Sequence, residues 1–188
     1  MTIRQCAWAI NSQLEAQYHD AEWGVPVHDE RLLFELLCLE GAQAGLSWLT
    51  ILKKRAAYQL AFDNFEPAII AEYDDAKLAT LLQDSGLVRH RLKINSVVSN
   101  AKAFIAIQAE WGSFDQFIWS FVDHKPIQNT WHQASDIPVT TDVSLKISKE
   151  LKKRGFKYVG SVICYAYMQA IGMTNDHTIN CFRHAQLK

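Results

Sequence analysis

Apolar residues recur along this chain at three- and four-residue intervals and almost nowhere in strict alternation, the pattern of helices that each bury one face. The clearest stripe begins at Glu30. Leu32, Leu33, Leu36 and Leu37 share a face and Glu40 continues it, which puts a carboxylate where the periodicity places the core. Gly41 is expected to end that helix and Ser47 to cap the next, Trp48 to about Leu60, leaving residues 42–46 as a short exposed connector beside Trp48. Pro67 suits the first turn of a short helix through Tyr73, Asp74 caps another through Gln83, and Arg89 to about Trp111 forms a long helix closed by Gly112. Ser113 with Gln116 makes a capping-box pattern for a helix ending near Asp123. Residues 124–139, with Pro126 and Pro138, read as an irregular loop long enough to join two lobes. Thr141 starts a helix to Arg154 that Gly155 breaks, and Ser161 to Ile171 forms a last strong helix before Gly172. The fold class is all-α.

A chain of 188 residues, 49% of them hydrophobic, can bury one substantial core, as a single domain over residues 1–188 or as two small lobes around the 124–139 loop. The longest apolar stretch, SVICYAYMQAIGM, is too short to span a bilayer, and the amino terminus has no charged-then-apolar targeting pattern. A soluble cytoplasmic protein with no membrane partner is expected. A net charge of −1 does not favour a nucleic-acid partner, but the charges are segregated. Asp63, Glu66, Glu72, Asp74, Asp75 and Asp84 face Lys77 alone, whereas Lys146, Lys149, Lys152, Lys153, Arg154 and Lys157 face Glu150 alone. One basic face on a near-neutral molecule permits phosphate binding, a solvated helix face being the plainer reading.

The candidate chemistry lies in three places. Four cysteines form no compact disulfide framework, which leaves thiolate ligands or buried thiols. Cys6 and His19 stand at C-x12-H and His177 and Cys181 at H-x3-C; the second pair shares one helical turn, and Cys₂His₂ is a closed tetrahedral set suited to structural zinc. Cys38 and Cys164 lie in apolar helical runs and read as inert buried thiols. Around Glu40 gather Tyr18, Trp23 and Trp48, whose faces suit a planar, electron-poor ring and favour one carrying positive charge, although packing is the plainer reading of the tryptophans. The Lys53-Lys54-Arg55 triplet gives that pocket a basic edge. In GFKYVGSVICYAYMQAIG, Gly155 and Gly160 bracket a tight turn between two helices; such a turn lets backbone N–H groups approach a phosphate, and Lys152, Lys153, Arg154 and Lys157 add attraction. A plain helix corner is the alternative.

YHDAEWG, CLEGAQAGLSW and LKKRGFKYVG, in that order and spacing, resemble the signature segments of the 3-methyladenine DNA glycosylase I family within the helix-hairpin-helix DNA glycosylase superfamily, over nearly the whole chain. The resemblance implies a monofunctional DNA N-glycosylase that flips 3-methyladenine out of double-stranded alkylated DNA and releases it by hydrolysis, acting as a monomer without a nucleotide cofactor. It implies a base pocket of Tyr18, Trp23, Glu40 and Trp48, with Glu40 the catalytic candidate, and DNA contacts from Gly45, Leu46, Lys153, Gly155, Lys157 and Gly160. Gly45 and Leu46 would wedge into the base stack. It further implies one structural zinc per chain on Cys6, His19, His177 and Cys181, clipping the chain ends together. Such a methylated base is already a good leaving group, so the tasks left are to flip it, hold it and admit water. The family is understood to lack the aspartate that many helix-hairpin-helix glycosylases place after the hairpin; Asp176 lies near that place and is expected to support the metal site. Family members often carry an aromatic three positions before the YHD tyrosine. Glu15 stands there, and weaker or altered base binding follows if that aromatic lines the pocket. Two rivals differ in class. A non-catalytic zinc-stabilised DNA-binding module gives no reason for an inward Glu40, and a metal hydrolase needs an open coordination position that four protein ligands close.

Overall fold

The computed structural model describes residues 4–188 and contains ten α-helices within them: α1 (Gln13–Ala21), α2 (Glu30–Gln43), α3 (Trp48–Ala61), α4 (Pro67–Ile70), α5 (Asp75–Gln83), α6 (Arg91–Trp111), α7 (Phe114–Trp119), α8 (Asp142–Lys153), α9 (Ser161–Ala170) and α10 (Phe182–Gln186). Seven of the ten helices begin where a side chain accepts the N–H three residues on: Ser12, Asp29, Ser47, Asp74, His90, Ser113 and Thr141 each do so. Most boundaries therefore fall within two residues of those the sequence predicts. Helix α2 runs two residues past Gly41, because that residue stays helical and its missing side chain makes room for Tyr158, whose Cβ would lie 3.2 Å from a Cβ placed there. Helix α4 stops at Ile70 rather than Tyr73.

The 124–139 stretch is not a plain loop. Ile127–Gln128 (β1) pairs in parallel with Thr174–Asn175 (β2), in register Ile127 to Thr174 and Gln128 to Asn175, and Ala134–Asp136 forms a 3₁₀ turn. Two-residue strands carry no alternation for a sequence pattern to detect. The bridge fastens this stretch to the chain just after α9.

Helix α2 is central. It packs against α3, α6, α7 and α9, and Leu33 through Ala42 are all buried, so the single stripe expected from the sequence is covered on every side. Phe34 meets Phe104 edge-on at 5.1 Å, Phe104 stacks on Phe114 at 4.2 Å, and the Tyr167 hydroxyl donates to the Leu33 carbonyl at 2.9 Å, tying α9 to α2. Full burial also takes in Glu35, whose carboxylate accepts from Arg31 (2.8 Å), Arg55 (2.7 Å) and Gln59 (2.9 Å). Arg55 reaches on to Glu22 at 2.6 Å. It is thus committed to two carboxylates and does not form the free basic edge expected of residues 53–55; removing it would leave Glu35 buried beside Arg31 alone among cations, a loss of the kind that costs about 3–5 kcal/mol.

A second, smaller cluster joins the beginning of the described chain to its end: Cys6, Tyr18, Trp23 and Cys181 are buried together, flanked by Trp8, Trp48, Leu52 and Phe182. The Phe182 N–H donates to the Arg4 carbonyl at 3.0 Å. Trp23 is held from the other side, since Gly24 N–H donates to the Gln169 carbonyl and Val27 N–H to the Ile171 carbonyl, both at 3.0 Å. Gly172 allows that approach: it has φ +72°, and a Cβ there would lie 2.4 Å from the Val25 carbonyl carbon and the Pro26 nitrogen. Among the described residues no helix is long and apolar enough to cross a membrane.

Candidate active site and metal centre

Helices α1, α2, α3 and α9 close on a cavity of about 170 Å³ lined by Trp8, Tyr18, Trp23, Glu40, Gln43, Trp48, Ala166 and Gln169. The structure thus brings together all four pocket residues predicted from the sequence. Tyr18 and Trp48 lie 5.2 Å apart with rings inclined at 52°. Sequence reasoning missed Trp8, whose ring meets Trp23 edge-on at 5.1 Å and Tyr18 at 6.3 Å. Trp8 sits in the 3₁₀ turn Ala7–Asn11. No helical periodicity marks it, and its only sequence signal is its place two residues after the candidate ligand Cys6. Glu15 does not line the cavity: it accepts from the Ser12 hydroxyl at 2.9 Å and its N–H donates to the Ser12 oxygen at 3.2 Å, completing the start of α1. The aromatic wall therefore draws its third indole from Trp8.

Three polar groups on this lining are buried and unpartnered among the described residues. Glu40 is 5% exposed and its carboxylate has no hydrogen-bond donor; burial pushes its pKa from 4.5 up to about 8. The Tyr18 hydroxyl and Trp48 Nε1 likewise have no partner. An unsatisfied buried polar group costs about 1–3 kcal/mol, so three around one cavity mark donors and acceptors that a ligand would satisfy.

Behind this wall stands the second constellation. The ligand atoms of Cys6, His19, His177 and Cys181 all lie within 4.8 Å of one another and all four residues are buried. His177 Nδ1 is 3.2 Å from His19 Nε2, and Cys181 Sγ is 3.4 Å from His19 Nε2 and 3.5 Å from His177 Nδ1; Cys6 Sγ is 3.7 Å from His177 Nδ1. A tetrahedral ion with bonds of 2.0–2.3 Å separates its ligands by about 3.3–3.8 Å, and these four separations lie close to that spacing. The outer ring nitrogens are engaged elsewhere, His19 Nδ1 with Asp20 at 2.7 Å and His177 Nε2 with the Trp23 carbonyl at 3.1 Å, which turns the inner lone pairs toward the sulfurs. Hydrogen bonds from Cys6, then His177 and His19, pull the Cys181 thiol down, toward the thiolate form that binds metal. The donor set fits a metal ion. Cys38 and Cys164 are buried free thiols pushed up by burial, Cys164 to about 12, as expected of inert packing groups.

Asp176 does not support His177. Its Oδ1 accepts from Asn129 (2.7 Å), Trp131 (2.8 Å) and Thr174 (3.1 Å), and its Oδ2 from Tyr165 (2.5 Å) and Gln169 (2.8 Å). The neighbours that orient the two histidines are Asp20 and the Trp23 backbone.

The α8–α9 turn forms where the two glycines place it. Gly155, with φ +94°, follows α8, and Asn100 pins the turn through Lys157 N–H (2.8 Å) and the Lys157 carbonyl (3.1 Å). Gly160 starts α9 with no side chain capping its first N–H groups and nothing within 4 Å of where a Cβ would stand. Lys153 and Lys157 are exposed, but Arg154 is not a free cation: it binds Glu110 at 2.6 and 3.0 Å and Glu150 at 2.8 Å. Gly45 and Leu46 stand exposed beyond α2, and Lys93 anchors the base of that connector by donating to the Ala42 (2.9 Å) and Ala44 (2.6 Å) carbonyls.

The methyladenine glycosylase family profile matches residues 8–184. DNA-3-methyladenine glycosylase 1 of Escherichia coli (strain K12) is 46% identical over 179 residues, 95% of this chain and 96% of that protein. DNA-3-methyladenine glycosylase of Haemophilus influenzae is 48% identical over 181 residues, 96% of this chain and 97% of that protein. Among solved structures, a crystal structure of 3-methyladenine DNA glycosylase I matches with a TM-score of 0.93 at 48% identity, covering 95% of this chain and 98% of the other. The Staphylococcus aureus 3-methyladenine DNA glycosylase I, solved to explain 3-methyladenine recognition, matches with a TM-score of 0.93 at 37% identity over 97% of each chain. The chain belongs to the methyladenine glycosylase family.

Proposed function

We infer that this chain is a DNA base-excision repair glycosylase that hydrolytically releases 3-methyladenine from alkylated DNA. The observation that carries the reading is a buried carboxylate without a partner, Glu40, in a purine-sized cavity walled by Trp8, Tyr18, Trp23 and Trp48. Adenine methylated at N3 and still joined to deoxyribose carries positive charge. Aromatic faces attract it, and its charge draws Glu40 into the ionised form that burial alone disfavours. Unmodified adenine brings no charge and leaves that cost unmet. In the reaction, water adds to C1′ and gives up a proton, while the base departs with the electron pair of the C1′–N9 bond; the cationic base thereby leaves as a neutral molecule and needs no acid. Glu40 acts at the edge of the base, and the indoles exclude bulk water around it.

On the DNA side we assign α8, its turn and α9 as the helix-hairpin-helix. The uncapped start of α9 with Gly160 meets a phosphate, Lys153 and Lys157 add long-range attraction, Gly155 shapes the turn, and Gly45 with Leu46 enters the stack of double-stranded DNA as the base leaves it. The cluster of Cys6, His19, His177 and Cys181 holds one zinc ion whose role is to cross-link the chain ends; all four positions being protein ligands, no step of the reaction runs through it. The protein works as a monomer. Incubation with dimethyl sulfate-treated DNA, followed by chromatography of the released bases, is expected to yield free 3-methyladenine; folded protein that releases none would overturn the reading.

A further inference from the structure

Gln169 lines the base cavity from the end of α9 and takes no part in breaking the C1′–N9 bond. Its side chain is not free to turn. Its Nε2 lies 2.8 Å from Asp176 Oδ2, and Asp176 is 1% exposed and receives four further donors, from Asn129, Trp131, Thr174 and Tyr165. The Trp131 indole can only donate, and carboxylate oxygens only accept, so the Gln169 amide must meet Asp176 with its NH₂ end. Turning it over would set its carbonyl oxygen against a carboxylate. The end not bound to Asp176 is an acceptor. The cavity thus offers acceptors in the Glu40 carboxylate and the Gln169 carbonyl, with the Gln43 amide, the Tyr18 hydroxyl and the Trp48 indole N–H beside them.

An adenine ring methylated at N3 has one kind of hydrogen-bond donor on its edge, the two N–H bonds of the 6-amino group; a 6-oxopurine presents an acceptor at the same place. Resting on the reading that the cavity takes methylated adenine, we propose that Gln169 is a specificity-determining residue, its carbonyl oxygen accepting from the 6-amino group and turning away 6-oxopurines, with Asp176 as the positioning residue that fixes its amide. Two acceptors then account for both amino hydrogens. A rotatable glutamine would adapt to either base, whereas one locked at its NH₂ end cannot.

The test is a chemical double-mutant cycle on free bases, read by quenching of the cavity's tryptophan fluorescence. Wild-type protein, Gln169→Met and Gln169→Leu are titrated with 3-methyladenine and with 3-methylpurine, which lacks the amino group. The affinity ratio of the two bases is expected to fall about tenfold in both variants, the size of one lost buried hydrogen bond, because the acceptor assigned to one amino hydrogen is gone. The ratio is taken within one preparation, so partial unfolding scales both titrations alike, and either variant suffices if the other does not fold. A ratio unchanged from wild type overturns the proposal. Wild-type protein that binds neither base and releases no 3-methyladenine from methylated DNA overturns instead the glycosylase reading on which the proposal rests.

Discussion

Replacing Glu40 by glutamine keeps the shape of the cavity and removes its carboxylate, and the resulting stability change should depend on pH in a way the structure specifies. Burial lifts this carboxyl from 4.5 to about 8. Below pH 4.5 both folded and unfolded chains hold the proton, and the group contributes no slope. Between pH 4.5 and 8 the unfolded chain has lost its proton while the folded one keeps it, so each unit of rising pH lowers wild-type stability by about 1.4 kcal/mol. Above pH 8 both are ionised and the slope vanishes. Across the window the total is about 5 kcal/mol, and the glutamine variant escapes it. Urea unfolding of both proteins at half-unit steps from pH 5 to 9 supplies the measurement, since the other titrating groups cancel in the difference. The variant should gain on wild type steadily with pH and level off near pH 8. The catalytic counterpart has the same origin: wild-type kcat/KM for methylated DNA should climb toward pH 8 as the ionised carboxylate becomes available to the cationic base, with the variant low and flat. A stability difference that stays constant from pH 5 to 9 would refute the argument that burial alone sets the state of Glu40.

Elemental analysis should find one zinc per chain, and Cys181→Ala should lose it, melt earlier by several degrees and still excise the base at low temperature; metal-free protein that melts like wild type would remove the structural role. Lys153→Ala combined with Lys157→Ala should weaken binding to all DNA sequences alike and reduce the slope of log affinity against log salt by about 2, one for each phosphate no longer neutralised; an unchanged slope places the DNA surface elsewhere.

What is legible in the sequence is what short-range physics writes into it. Glu40 is found by continuing a leucine stripe, and helix starts are found because Ser, Thr and Asp caps act within three residues. Cys6, His19, His177 and Cys181 are visible only as two pairs, and their convergence rests on the resemblance, since nothing local links residue 6 to residue 181. Trp8 escapes because it sits in a 3₁₀ turn, and Gln169 because it looks like one polar break in an apolar helix until Asp176 is seen beside it. Proximity in sequence misleads for Asp176: it adjoins His177, but the chain turns so that its carboxylate faces Trp131 and Tyr165. Arg154 and Arg55 read as surface charge because their carboxylate partners are distant in sequence or buried.

The lacing of the Trp23 segment to the far end of the chain bears on how the molecule is made. Glu40 and Trp48 leave the ribosome early, on α2 and α3. The anchors of the wall that completes their cavity come last: the Gln169 and Ile171 carbonyls that hold Gly24 and Val27, then His177 against the Trp23 carbonyl, and finally Cys181. The amino-terminal arm therefore waits, its tryptophans without their final partners, while the helical body is synthesised and packs. A growing chain can bury α2 among its neighbours, yet the lining of its base cavity is incomplete until Gln169 has been added. The place for a damaged base thus waits on α9, the last of the cavity's own helices to be made.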